Sequence, residues 1–268
     1  MMLTIALAQL KVTSFDKELN LSRAIAAIRH CREKQADYVL FPELFLTGYF
    51  IAERIAELSE PVDGESIQRL QQAVREIGVG IIIGFPEVSE GRYYNSAVFI
   101  EKDGQIKGVY RKVHLFDKER GFFTPGDDCP VMETACGARI GLMMTYDVEF
   151  PEMARVYAVN GAQVLLVLNA HNVPFEPHQE LFLRARGLEN QLFVAAANTV
   201  GLQETTLFFG ESAVISPDGN FLAKGGNNEE IIVATLDLQE PERVRAQQPM
   251  KYLAERRSDV YKAHKLLP

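Results

Sequence analysis

The feature that most constrains this chain is a succession of short apolar runs separated by segments of helical period. Runs rich in Val, Ile, Leu and Phe at 3–9, 37–42, 79–86, 94–101, 138–145, 163–168, 192–198, 211–216 and 230–236 read as strands. Helices are expected at 17–35, 64–77, 150–159, 178–190 and, briefly, 240–247. Alternation of this kind points to layered α/β architecture, because each element carries an apolar face that another layer must cover. The clearest helix is 17–35, where Leu19, Leu21, Ala24, Ile25 and Ile28 are read as one apolar stripe opposite Arg23, Arg29 and Glu33. Two stretches break the alternation. RYYNSAVFIEKDGQIKGVYRK reads as a hairpin turning at Lys102, Asp103 and Gly104, and AVISPDGNFLAKG repeats the device at Pro217, Asp218 and Gly219. Mixed strand directions of this sort suggest two sheets packed face to face with helices outside.

The 268 residues contain no low-complexity tract, linker or solenoid-type repeat, so one compact domain over 1–268 is expected. With 47% apolar residues the chain can bury a full core. A formal charge of −8 and a pI near 5.3 disfavour a nonspecific hold on nucleic acid or anionic lipid. MLTIALAQL is too short for a signal core or a membrane span and reads as the first strand. Cys31, Cys129 and Cys136 have neither the even count nor the spacing of a disulfide framework or a zinc site, which fits a reducing cytoplasm. No phosphate-binding glycine loop or metal-ligand cluster argues for a cofactor.

The chemistry is expected where apolar runs end. In ARIGLMMTYDVEFPE a buried strand runs into a sharp turn that presents Thr145 and Tyr146; Glu43 closes DYVLFPE, and Lys112 follows GVYR. A carboxylate, an amine and a hydroxyl could thus converge at one rim. With FPELFLTGY, YRKVHLF, RARGLENQLFVAAAN and FGESAVISPDG, these blocks resemble the nitrilase, or carbon-nitrogen hydrolase, superfamily, in its amidase and N-carbamoyl amidohydrolase branch. The resemblance covers nearly the whole chain. It implies a four-layer αββα sandwich, homodimers or larger homo-oligomers, no cofactor, and hydrolysis of a small amide or carbamoyl compound with release of ammonia.

It further implies Glu43 as general base, Lys112 as stabiliser of the oxyanion with the Tyr146 N–H beside it, and Glu119 as an additional acid. The family nucleophile is a cysteine, and here that position reads Thr145. A thiol ionises near pH 8.5 before tuning, whereas an alcohol needs a strong adjacent base; Thr145 also carries a β-methyl that restricts its rotamer. Slow turnover or none is therefore expected. Three readings of Thr145 stay open: an engineered substitution, a natural loss in a noncatalytic binding or regulatory homologue, and a working threonine. Cys136, read as lying before the strand that ends at Thr145, is expected at its far end and is no substitute. His114 reads as a hydrogen-bonded structural histidine. Arg186 either pairs with Glu189 along its helix or holds a substrate carboxylate. Tyr49, Phe123 and His171 are candidate pocket walls, with Phe45 and Phe122 as further aromatics that core packing would equally explain.

Overall fold

The computed structural model describes residues 1–263. The first half contains strands β1 (Met2–Gln9), β2 (Tyr38–Leu40), β3 (Gly80–Ser89), β4 (Arg92–Ile100) and β5 (Ile106–Arg111), with helices α1 (Lys17–Glu33), α2 (Ile55–Leu58) and α3 (Glu65–Ile77). The second contains β6 (Met132–Glu133), β7 (Arg139–Met144), α4 (Pro151–Val159), β8 (Val164–Asn169), α5 (Glu176–Asn190) and β9 (Phe193–Asn198). There follow β10 (Val200–Gln203), β11 (Thr206–Phe209), β12 (Ala213–Ile215), β13 (Phe221–Lys224), β14 (Glu230–Asp237), α6 (Glu240–Gln247) and α7 (Ser258–Ala263).

Two six-stranded sheets result, in the orders β14-β1-β2-β3-β4-β5 and β13-β12-β9-β8-β7-β6, with β10-β11 as a separate ribbon. Each sheet centres on three parallel strands, β1-β2-β3 and β7-β8-β9, and carries antiparallel strands on both flanks. Parallel neighbours need a crossover, which α1 to α3 supply in one half and α4 and α5 in the other. The expected two mixed sheets with helices are therefore present, with the hairpins turning at the expected glycines.

Burial on both faces explains why the runs are almost wholly apolar. From β1, Leu3, Ile5 and Leu7 enter a core shared with Leu142, Met144 and Leu166 of the other sheet. The alternate residues Ala6 and Ala8 face Leu21, Ala24 and Ile28 of α1 and Leu70 and Val74 of α3. Each fully buried Leu or Ile contributes about 1.5–3 kcal/mol. Asp16 starts α1 by accepting the Leu19 N–H at 2.9 Å. The stripe on α1 differs from the expected one: Leu19 is 42% exposed, while Leu21, Ala24, Ile28 and Cys31 are buried. Two residues before Leu21 is about 200° around the helix, which turns Leu19 toward solvent.

Boundaries moved where the backbone had a reason to move them. The run 37–42 pairs only through Leu40, because Pro42 has no N–H for the ladder. The run 211–216 contracts to Ala213–Ile215 after Gly210 and Glu211, both at positive φ. The ribbon β10-β11 had no apolar run to announce it, since Leu202 and Leu207 are exposed. Among the described residues no helix is long and apolar enough to cross a membrane.

One glycine of β3 fixes the approach of the segment after β2. A Cβ on Gly84 would lie 2.5 Å from the Leu44 nitrogen, 2.7 Å from the Pro42 oxygen and 2.9 Å from the Glu43 Cα, all of them backbone atoms. Gly84→Ala is therefore expected to displace the Pro42–Leu44 backbone and to lower unfolding free energy by about 1–3 kcal/mol, measured as a shift in denaturant midpoint at constant slope.

Candidate active site

The carboxyl ends of the central strands of the two sheets open toward one another, the usual place for a ligand crevice in α/β architecture. β2 delivers Glu43, β7 delivers Thr145 and the end of β5 delivers Lys112, while a 3₁₀ turn over Asp117–Gly121 brings Glu119. The Glu43 N–H donates to the Asn169 oxygen at the end of β8 at 3.3 Å, tying one sheet to the other beside these groups. All three charged side chains are buried, with residue exposures of 1–2%.

Lys112 is the hub. Its Nζ donates to Glu43 Oε1 at 2.7 Å and lies 3.0 and 2.9 Å from the two oxygens of Glu119. Asn95 Nδ2 reinforces the arrangement, donating to Glu43 Oε1 at 2.6 Å and reaching Glu119 Oε1 at 3.3 Å. The second oxygen of Glu119 accepts the Phe116 N–H at 2.7 Å. Thr145 Oγ1 donates to Glu43 Oε2 and accepts the Ala170 N–H at 2.7 Å.

One cation shared by two carboxylates leaves the cluster one positive charge short of neutrality, a deficit that a proton would fill. Burial is the largest influence on Glu43 and pushes its carboxyl up to about 7; Lys112 opposes this and Glu119 adds to it. Burial works against the Lys112 ammonium, but the charges of Glu43 and Glu119 outweigh it and hold Lys112 above the usual lysine range. The two shifts bear oppositely on the ion pair, one favouring a neutral acid and the other a persistent cation. Sharing of the ammonium reconciles them: it stays charged whichever carboxylate it serves, and Glu43 can take up a proton near neutrality. Breaking a buried pair of this kind typically costs about 3–5 kcal/mol. Tyr49 borders the cluster, its phenol kept protonated well above the ordinary range by burial first and by Glu119 and Glu43 next.

The turn Thr145–Glu149 is held from beneath by two charged side chains. Asp147 is fully buried and accepts the Tyr110 hydroxyl at 2.6 Å, the His114 N–H at 2.9 Å and the Met144 N–H at 3.0 Å. Arg186 of α5 donates to the Val148 oxygen at 2.8 Å and the Glu149 oxygen at 2.9 Å, and pairs with Glu189 at 2.9 Å. The Tyr146 N–H belongs to the first turn of this short helix, where donors have no partner within the helix.

Contacts decide between several of the readings left open by the sequence. Arg186 faces backbone carbonyls and Glu189, so it clamps the turn and is not positioned as a grip for a substrate carboxylate. Phe123 is buried in an apolar cluster with Leu44, Ile51, Leu58 and Leu115, against which Tyr49 also packs. Phe45 is core, tilted against Phe41 at 5.0 Å. His114 stacks on Phe150 at 3.8 Å with Nδ1 2.9 Å from Asp147. Cys31, Cys129 and Cys136 are free thiols, and Cys136 sits beside Thr134 before the start of β7. His171 is buried directly after Ala170, the residue whose N–H holds Thr145. Asn95 and Asp147 were not anticipated; Asn95 had a faint signal as a lone amide inside the apolar run YYNSAVF. Among the described residues no group of three or more His, Cys, Asp or Glu side chains is placed to hold a metal ion.

Comparison with known proteins agrees with this architecture. The carbon-nitrogen hydrolase family model matches residues 4–246. An (R)-stereoselective amidase of Pseudomonas sp. is 39% identical over 254 residues, 94% of this chain and 91% of that protein. Omega-amidase NIT2 of Homo sapiens is 34% identical over 269 residues, 96% of each chain. Among solved structures, the amidase from Nesterenkonia sp. AN1, in a form with the acetamide moiety of fluoroacetamide covalently added at its active site cysteine, superposes with a TM-score of 0.87. That pair is 28% identical, over 97% of this chain and 96% of the other. A family match over most of the length, relatives similar end to end and a shared fold together establish that this chain belongs to the carbon-nitrogen hydrolase family, among its amidase-type enzymes.

Proposed function

We propose that the chain is a single-domain hydrolase scaffold for a small amide or carbamoyl compound, with Glu43, Lys112 and position 145 as its reacting centre and Glu119 as a supporting acid. The observation that carries this is the continuous chain of contacts from the Thr145 hydroxyl through Glu43 to Lys112 and Glu119, buried at the meeting of two sheets. With sulfur at position 145, Glu43 would accept the thiol proton as the thiolate attacks the amide carbon. Lys112 and the Tyr146 N–H would stabilise the resulting oxyanion, and the leaving ammonia would take the proton back from Glu43. Water would then hydrolyse the acyl intermediate, with Glu43 acting again as base.

Threonine changes the first step. A carboxyl near 7 is a weak base toward an alcohol, and the α-amine that working threonine hydrolases use is far away along the chain. A second reading, a noncatalytic binding homologue, is favoured by one observation: the Thr145 hydroxyl has its donor and its acceptor both engaged, by Glu43 and the Ala170 N–H. A cytoplasmic homo-oligomer belongs to the first reading. It is supported by three free thiols and by Leu181 and Leu188, exposed at 64% and 40% on α5.

Thr145→Cys separates the readings. Ammonia release from short amides, ω-amides and N-carbamoyl compounds is expected to rise at least about 100-fold in kcat/KM over the unaltered chain; no release from any of them would favour the binding homologue. Activity of the unaltered chain that vanished in Thr145→Ala would instead reveal a working threonine.

The pH profile follows from Glu43. A base must be deprotonated to act, and the folded carboxyl is raised, so kcat/KM of Thr145→Cys is expected to be low in acid and to climb through about pH 7. A profile already flat from pH 5 upward would contradict this role. The same shift affects stability. Glu43 favours its protonated form in the fold, so its contribution is full below the unfolded carboxyl range and is lost as pH rises through about 7. Glu43→Gln should therefore gain in relative melting temperature between pH 5 and pH 8.

A further inference from the structure

The N–H that holds Thr145 belongs to a peptide group whose other end holds the base. Asn169 closes β8, and its C=O accepts the Glu43 N–H at 3.3 Å. Across the same peptide bond, the Ala170 N–H donates to Thr145 Oγ1 at 2.7 Å. A planar trans peptide points its C=O and its N–H in opposite directions, so this one group reaches toward Glu43 on one side and position 145 on the other. Donation to the C=O also polarises the peptide and strengthens the N–H at its far end.

The peptide that follows is gripped by a single side chain. Asn198 ends β9 in register with Asn169 and is fully buried. Its Oδ1 accepts the His171 N–H at 2.9 Å, and its Nδ2 donates to the His171 oxygen at 3.1 Å and to the Gly210 oxygen at 2.8 Å. Reversing that amide would set Nδ2 against an N–H and Oδ1 against two carbonyls, so its orientation is decided by its partners. Held by Glu43 before Ala170 and by Asn198 after it, the backbone has little freedom to turn the Ala170 N–H away from position 145. When a thiol at that position gives its proton to Glu43, negative charge appears on the atom this N–H faces, and a hydrogen bond to a charged acceptor is about twice as strong as one to a neutral acceptor. We propose that the Ala170 N–H stabilises the anion of the nucleophile at position 145, and that Asn198 is the positioning residue that aims it. The proposal rests on the amide-hydrolase reading for the identity of the nucleophile position. It adds a donor distinct from Lys112 and the Tyr146 N–H, which serve the oxyanion on the substrate.

The test titrates the thiol of Thr145→Cys by its rate of alkylation with iodoacetamide across pH, read by peptide mass mapping so that Cys31, Cys129 and Cys136 are counted apart. Adding Asn198→Ala is expected to raise the alkylation midpoint by about one pH unit or more. Ser212→Ala is the comparison: it removes the buried hydroxyl that accepts the Asn198 backbone N–H at 2.8 Å, leaves the grip on His171 intact, and should leave the midpoint in place. No shift in Asn198→Ala, or equal shifts in the two variants, would overturn the proposal. A second measurement needs no change at Asn198. Asn169–Ala170 is the one Asn-Ala pair in the sequence, so carbonyl-¹³C asparagine combined with ¹⁵N alanine marks that amide alone. In Thr145→Cys its proton signal should move with the alkylation midpoint; a signal that stays fixed while the thiol ionises would overturn the proposal even where Asn198→Ala fails to fold. Neither readout requires turnover. Both effects without ammonia release would sink the hydrolase reading alone, and ammonia release with neither effect would sink only the roles given to Ala170 and Asn198.

Discussion

A single buried ammonium between two carboxylates is the interaction on which the rest of this structure depends. Lys112, Glu43 and Glu119 come from three separate segments, and a lysine ammonium could not be buried in that interior without a carboxylate partner. The contact fixes the end of β5, the loop after β2 and the short turn over Asp117–Gly121 relative to one another. It also sets the electrostatics: two potential negative charges and one positive charge leave room for a proton at Glu43.

The fold supplies that meeting point through repetition of an arrangement. Each sheet has three parallel strands with one antiparallel neighbour on one flank and two on the other, and the two parallel sets present their carboxyl ends to the same crevice. Glu43 leaves one set and Thr145 the other. Because the backbone after β2 passes so close to Gly84, and the turn after β7 is clamped by Asp147 and Arg186, neither side chain has much freedom to drift. Preorganisation of this kind is what an oxyanion-stabilising site requires, and it is present although position 145 holds an alcohol.

Much of this was legible in the sequence, for identifiable reasons. Strands buried on both faces leave continuous apolar runs, so the layered α/β plan and the ends carrying Glu43, Lys112 and Thr145 could be read directly. What failed to show was anything decided by side-chain direction. Arg186 sits at a spacing that suits either a substrate grip or a structural clamp, and only its contacts with the Val148 and Glu149 oxygens distinguish them. Phe123 reads the same as wall or as core. Asn95 and Asp147 matter through long-range contacts, to Glu43 across 52 positions and to Tyr110 across 37, which no local pattern encodes. The ribbon β10-β11 is largely solvent-facing and had no periodic apolar signal to give.

The central claim, that burial, aided by the neighbouring Glu119 carboxylate with which it shares one lysine, lets Glu43 hold a proton near neutrality, is tested most directly by a carboxyl titration of the folded protein with ¹³C-labelled glutamate. One carboxyl signal should move with a midpoint of about 7 and disappear in Glu43→Gln. A spectrum in which every glutamate carboxyl has finished titrating by about pH 5, the ordinary range for an unperturbed side chain, would contradict the account.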